Sequence, residues 1–180
     1  MHPPVLGSLS SVPVADHPEL VAASVSEALR EWPYAGETGV VEIDPGLADT
    51  AAMTEAYDVP LTVSANCVVV AGKRDGVVRI AACVVRADTR ADVNNLVKRS
   101  LDVRKASFLP MDRAVEETGM EYGGITPVGL PPGWRVLVDR SCLDIDVAII
   151  GSGVRRSKLL LPGRRLADLP GAEVLDSLGR

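Results

Sequence analysis

The reading of this chain turns on residues 117–134, ETGMEYGGITPVGLPPGW. Between Gly119 and Pro132 it holds four glycines and three prolines, and no apolar residue recurs there with the period of a helix or a strand. Gly123-Gly124 frees the backbone for close approach by another group, while Pro127 fixes φ and removes one N–H. A connection this long without regular structure is either functional or disordered, and Ile125, Val128, Leu130 and Trp134 argue against disorder. From the residues alone two readings stay open. One is a loop presenting bare amides and carbonyls to a ligand; the other is a connector from a helix ending near Glu117 to a strand starting at Arg135.

Outward from the loop the pattern alternates strands and helices. Upstream, residues 61–70 and 77–85 are apolar and β-branched, and Gly72-Lys73-Arg74-Asp75-Gly76 between them predicts a hairpin. Runs 67–71 and 80–85 are continuously apolar, as expected of strands buried on both faces in mid-sheet. A capped helix through Leu101, a short strand over 104–109 and a helix over 110–117 lead into the loop. Downstream come strands at 135–138 and 146–150, a hairpin tip at Gly151-Ser152-Gly153, a short helix over 162–169 and a last strand or helical turn at 172–175. Toward the N-terminus the spacing predicts an amphipathic helix over 19–32, a strand near 40–43 and a helix over 47–57, with residues 1–16 as an irregular arm. The expectation is one mixed α/β (α+β) domain over residues 1–180.

Three cysteines, Cys67, Cys83 and Cys142, sit in apolar runs without metal-ligand spacing, so buried, reduced thiols and a cytoplasmic address are expected. No apolar run reaches the roughly 18 residues of a membrane span. The net charge of −5 conceals an asymmetry: residues 1–64 hold ten acidic side chains and only Arg30 as a basic one, whereas 65–180 hold eighteen basic and fourteen acidic. A nucleic-acid partner is therefore expected to meet the second part. Within it, Arg155, Arg156, Lys158, Arg164 and Arg165 place five cations and no anion in eleven residues. The functional reading is contact with tRNA phosphates, assigned to Arg155, Arg156 and Lys158; the plainer reading is a solvated hairpin face.

Familiar catalytic constellations are missing: there is no histidine beside a Ser or Cys motif, no phosphate-binding loop and no HExxH. His2 and His17 both lie in the N-terminal segment, and a solvated helix end is the reading preferred for His17. An enzyme built from these residues has to use backbone donors, bound water and the substrate's own groups, with no cofactor and no metal.

On its signature residues, Gly123-Gly124-Ile125-Thr126-Pro127 within TGMEYGGITPVGLP, the chain resembles the YbaK/EbsC family of prolyl-tRNA-editing (INS-like) aminoacyl-tRNA deacylase domains. The likeness runs from near Ala65 to the C-terminus, about two-thirds of the chain, with a weaker echo upstream. It implies a single YbaK-like domain with a central mixed, partly barrel-like β-sheet flanked by helices. It also implies hydrolysis of the ester joining a small amino acid to tRNA, with Gly123, Gly124, Ile125, Thr126 and Pro127 cradling the aminoacyl group and Ser152-Gly153 closing the pocket. The terminal ribose hydroxyl is implied to help activate water. Where the family's strand carries a characteristic lysine, this chain has Asn66, an amide of shorter reach and no charge. Asn66 and Gly123 are the catalytic candidates, and tRNA acceptor ends, with a homodimer as a further option, are the expected partners. The rival readings are a degenerate module of the same fold that binds tRNA or an amino acid without turnover, and an interaction protein whose glycine loop is a connector.

Overall fold

The computed structural model describes residues 4–180, so His2 lies outside the described residues. In chain order the strands are β1 (Val5–Leu6), β2 (Leu9–Ser10), β3 (Val12–Pro13), β4 (Gly39–Glu42), β5 (Ala65–Arg74), β6 (Val77–Arg86), β7 (Ala106–Phe108), β8 (Arg135–Asp139), β9 (Ala148–Gly151), β10 (Ser157–Leu161) and β11 (Ala172–Leu175). The α-helices are α1 (Ala23–Glu31), α2 (Thr50–Ala56), α3 (Lys98–Ser100) and α4 (Met111–Thr118).

The β5–β6 hairpin carries the five-stranded sheet, ordered β11-β8-β6-β5-β7. Its turn uses Asp75 (φ 51°) and Gly76 (φ 83°), the paired positive φ values of a two-residue hairpin turn whose twist matches the strands. β8 pairs parallel with β6, and β11 parallel with β8, so the sheet is mixed. As its unbroken apolar run predicts, β6 lies between two strands, and Ala81 to Val84 are fully buried. A second, four-stranded sheet is ordered β3-β4-β10-β9, and β1 and β2 form a small hairpin. The two larger sheets touch through a bridge between Ser64 and Ile149 and do not close into a barrel.

Val25, Leu29 and Trp32 pack with Val84, Val136, Val138, Ile150, Leu159 and Leu161 in the largest core. Each large aliphatic side chain buried there contributes about 1.5–3 kcal/mol. Trp32, just past the end of α1, also donates from Nε1 to the Asp168 carbonyl at 3.0 Å, which pins that end to the C-terminal segment.

Several expected elements are shorter or tighter than their periodicity suggests. The helix expected over 19–32 begins only at Ala23, because Pro18–Leu20 makes a 3-10 turn and Val21 is extended (φ −126°, ψ 163°). Leu20, Val21 and Ala22 are buried nonetheless, so they cover the core as turn and extended chain instead of as a helix face. Residues expected to form an irregular arm contribute β1, β2 and β3, and β3 pairs antiparallel with β4. The segment before Leu101 is a π-helical turn, Val93–Val97, running into α3, and Gly163–Asp168 is a 3-10 helix. Among the described residues no helix is long and apolar enough to cross a membrane.

Two features of this arrangement open a site. β7 pairs only with Val70, Ala71 and Gly72, leaving the first half of β5 uncovered on that side. β9 ends at Gly151, and the loop after α4 crosses the gap between the two sheets.

Candidate functional site

α4 stops at Gly119, whose φ of 67° is the left-handed cap that glycine adopts with little strain. The following loop is then locked against the β9–β10 turn. The Gly153 N–H donates to the Gly124 carbonyl at 2.7 Å, the Glu121 N–H to the Gly153 carbonyl at 2.8 Å, and the Arg155 N–H to Glu121 Oε2 at 2.6 Å. The segments interdigitate because they lack side chains. A Cβ on Gly151 would lie 2.4 Å from the Gly124 carbonyl oxygen, and one on Gly124 would lie 2.7 Å from the Val154 backbone.

Beneath this lock lies a cavity of about 340 Å³, lined by Tyr122, Gly123 and Ile125 from the loop, Ser64 to Val68 around the start of β5, and Ile149 to Gly151 of β9. Asp49, Thr50 and Met53 at α2 and Lys158 from β10 complete the wall. Asn66 Oδ1 accepts from Thr50 Oγ1 at 2.9 Å, which orients the amide so that its nitrogen remains available to a ligand. Gly124 N–H donates to the Glu121 carbonyl, whereas the Gly123 and Ile125 N–H groups have no backbone acceptor among the described residues. The Ser64 hydroxyl is buried without a partner. Such groups are matched to a polar ligand that brings its own acceptors.

Three of the sequence-selected residues in β5 and the loop, Asn66, Gly123 and Ile125, meet on this wall. Gly124, Thr126, Pro127, Ser152 and Gly153 do not line it: Gly124 and Gly153 form the backbone lock, and Pro127 lines a separate groove with Trp32 and Trp134. Ser152 is fully buried, its hydroxyl 2.7 Å from Ser157 Oγ and 2.9 Å from the Ser157 carbonyl. Thr126 is likewise buried and its hydroxyl has no partner; nothing in its surroundings accounts for that.

The cation run does not form one surface. Arg155 donates to the carbonyls of Tyr122 (3.2 Å) and Pro45 (2.9 Å), and Arg156 to that of Glu19. Arg164 and Arg165 pair with Glu37, and Arg165 also lies 3.8 Å over the Tyr34 ring. Lys158, by contrast, is only 6% exposed and points into the cavity, donating to the Ala48 carbonyl at 3.0 Å. Desolvation, reinforced by Arg155 and partly offset by Asp49, lowers its pKa to about 8. The sequence signal for this was available: Lys158 is a lone cation entering an apolar strand, SKLLL. Thr50 and Ser64 carried no such signal, since neither belongs to a motif.

Cysteine chemistry is not favoured. Burial, with a smaller contribution from Cys83, raises the pKa of Cys67 at the cavity wall far above neutrality, and burial raises that of Cys83 to about 12. Among the described residues no group of three or more His, Cys, Asp or Glu side chains is placed to hold a metal ion.

Comparison with known proteins agrees with this fold. The curated protein YwhH of Bacillus subtilis (strain 168), itself uncharacterized, is 27% identical over 151 residues, covering 84% of this chain and 92% of its own. The fold matches a crystal structure described as a candidate trans-editing enzyme for prolyl tRNA synthetase, with TM-score 0.72, 21% identity and coverage of 93% of this chain and 98% of that one. It also matches the hypothetical protein APE2540, with TM-score 0.68, 23% identity and coverage of 78% and 90%. The model of the aminoacyl-tRNA editing domain matches residues 44–169, which includes α2 and its contribution to the cavity as well as the glycine-rich loop. The chain therefore belongs to the aminoacyl-tRNA editing domain family.

Proposed function

We propose that the protein is an aminoacyl-tRNA deacylase that hydrolyses the ester of a small amino acid on a mischarged tRNA. The observation that carries this reading is the cavity lined by Gly123, Ile125, Asn66 and Ser64, where among the described residues the Gly123 and Ile125 N–H groups have no backbone acceptor and the Ser64 hydroxyl has no partner. A volume of about 340 Å³ suits an aminoacyl group with part of its ribose and excludes a folded nucleic acid. The loop amides hold the ester carbonyl, Asn66 orients the substrate through its amide, and Ile125 and Ile149 supply an apolar wall that favours small side chains. Water, positioned with the help of the terminal ribose hydroxyl, attacks the carbonyl carbon. Arg155 and Arg156, beside Pro45 and Tyr122 at the rim, are the proposed contacts for the acceptor-end phosphates.

A cavity used only for binding is the second reading, favoured by Asn66 standing at the family's lysine position. Hydrolysis of alanyl-, seryl- and cysteinyl-tRNA(Pro) by wild type and Gly123→Ala separates the two. At φ 84°, with Arg155 Nη1 2.5 Å from the added Cβ, alanine distorts the wall and is expected to lower turnover strongly. No turnover by the wild type on any of these esters would support the binding module.

A further inference from the structure

Lys158 enters the cavity from β10, opposite Gly151 of β9 and Val41 of β4. Its strand neighbours Leu159, Leu160 and Leu161 are all buried core residues, and no carboxylate among the described residues pairs with its ammonium. One bond, to the Ala48 carbonyl, leaves two N–H donors unassigned. A hydrophobe would fill this position at lower cost, because a buried, unpaired cation loses its hydration without a compensating partner. Asn66 lines the same cavity from β5.

We infer that Lys158 is a catalytic residue of the deacylation proposed above, supplying from another strand the positive charge that Asn66 does not bring to the cavity. The inference rests on that functional reading. In the step it serves, water oxygen bonds to the ester carbonyl carbon and the carbonyl oxygen becomes an oxyanion. The Lys158 ammonium and the loop N–H groups donate to this oxyanion. The oxyanion collapses, the bond from carbonyl carbon to ribose oxygen breaks, and the ribose oxygen takes up the proton that the water has lost. Free amino acid and a free tRNA end result, and Lys158 keeps its proton throughout.

The charged and titratable groups around Lys158 are Asp49 at the start of α2, Arg155 in the β9–β10 turn, Tyr122 of the loop and the Cys67 thiol of β5. Burial keeps that thiol protonated. The pKa of about 8 at Lys158 then predicts that the ammonium is present at neutral pH and is lost as pH rises through 8, taking the catalytic contribution with it.

The test is single-turnover hydrolysis of the three mischarged tRNA(Pro) species, corrected for spontaneous ester hydrolysis, by wild type, Lys158→Met, Lys158→Gln and the exchange Asn66→Lys/Lys158→Met. Thermal melts establish that each variant is folded. Both single variants are expected to lose about 100-fold or more in rate, as for removal of one oxyanion donor. The exchange variant is expected to regain most of that rate, and to hold it to higher pH than the wild type, whose rate falls above about pH 8. Folded single variants that turn over like an active wild type would overturn the role of Lys158 and leave the deacylase reading standing. A wild type inactive on every ester would overturn that reading and this inference together.

Discussion

Lys158 and the arginines around it belong to one run of positive charge in the sequence but to two environments in the fold. Arg155, Arg156, Arg164 and Arg165 stay near the surface, and each is fixed to a carbonyl or carboxylate of its own chain. Lys158, placed between two of those pairs, is the one of the five cations that falls on β10, a strand buried along its whole length, and it lines the cavity. A charge run thus mixes roles according to which of its cations falls on a buried strand and which fall in the turns beside it. Here Arg155 ties the loop to Pro45 at the cavity rim, Arg164 and Arg165 pair with Glu37 outside the cavity lining, and the lysine stands within it.

The contrast is most exposed to test at Lys158 itself. Its folded pKa of about 8 lies below the ordinary 10.5, so between those values the unfolded chain binds the proton that the folded chain releases. Stability from this group accordingly rises with pH across that window, and the full cost is present below about pH 8. Lys158→Met should therefore stabilise the protein at pH 7 by on the order of 3 kcal/mol, with the gain vanishing above about pH 10.5. Denaturant melts across that range check this, and a destabilised variant at pH 7 would mean that contacts within the chain offset the burial of Lys158.

Gly151→Ala is expected to cost about 2–3 kcal/mol, because the added Cβ meets the Gly124 and Ile125 carbonyls, backbone atoms that cannot swing aside. Gly119→Ala, whose Cβ meets nothing within 4 Å, should cost only about 1 kcal/mol for its positive φ. Comparison of the two by chemical denaturation separates a glycine needed for packing from one needed for a cap. Arg155→Ala removes the tie between the loop and Pro45 and should cost about 1 kcal/mol while loosening the cavity rim, read as faster amide exchange at Tyr122 and Gly123. The smallest effect is expected for Glu37→Gln. The hydrogen bond from Arg165 holds the Glu37 carboxyl below its ordinary pKa, so its modest stabilisation is present at neutral pH, is lost as pH falls through that lowered value, and weakens with added salt.

Most of the β framework was legible in the sequence, because runs such as 67–71 and 80–85 are long and apolar enough to announce buried strands. The glycine loop was legible too, since Gly123, Gly124 and Pro127 sit comfortably together in neither a helix nor a strand. Residues 19–22 misled because Leu20 and Val21 continue the helical spacing of Val25, Ala28, Leu29 and Trp32 yet are buried as turn and extended chain. The cavity's far wall was invisible for a different reason. Thr50 and Ser64 belong to no motif and join Lys158 only after β4, β9 and β10 have paired and α2 has packed beside them. Which loop residues line the cavity was equally hidden: Gly123 and Ile125 do, while Gly124 is packed against the Val154 backbone.

The most direct measurement is to titrate the protein with a non-hydrolysable alanyl-adenosine carrying an amide in place of the ester, and to follow backbone and side-chain resonances by NMR. Saturable shifts are expected at Gly123, Ile125, the Asn66 amide and the Lys158 side chain, with Arg164 and Arg165 unmoved. Shifts confined to the arginine face, or a protein that does not respond while tRNA still binds, would contradict the claim that the cavity beneath Gly123 receives the aminoacyl end.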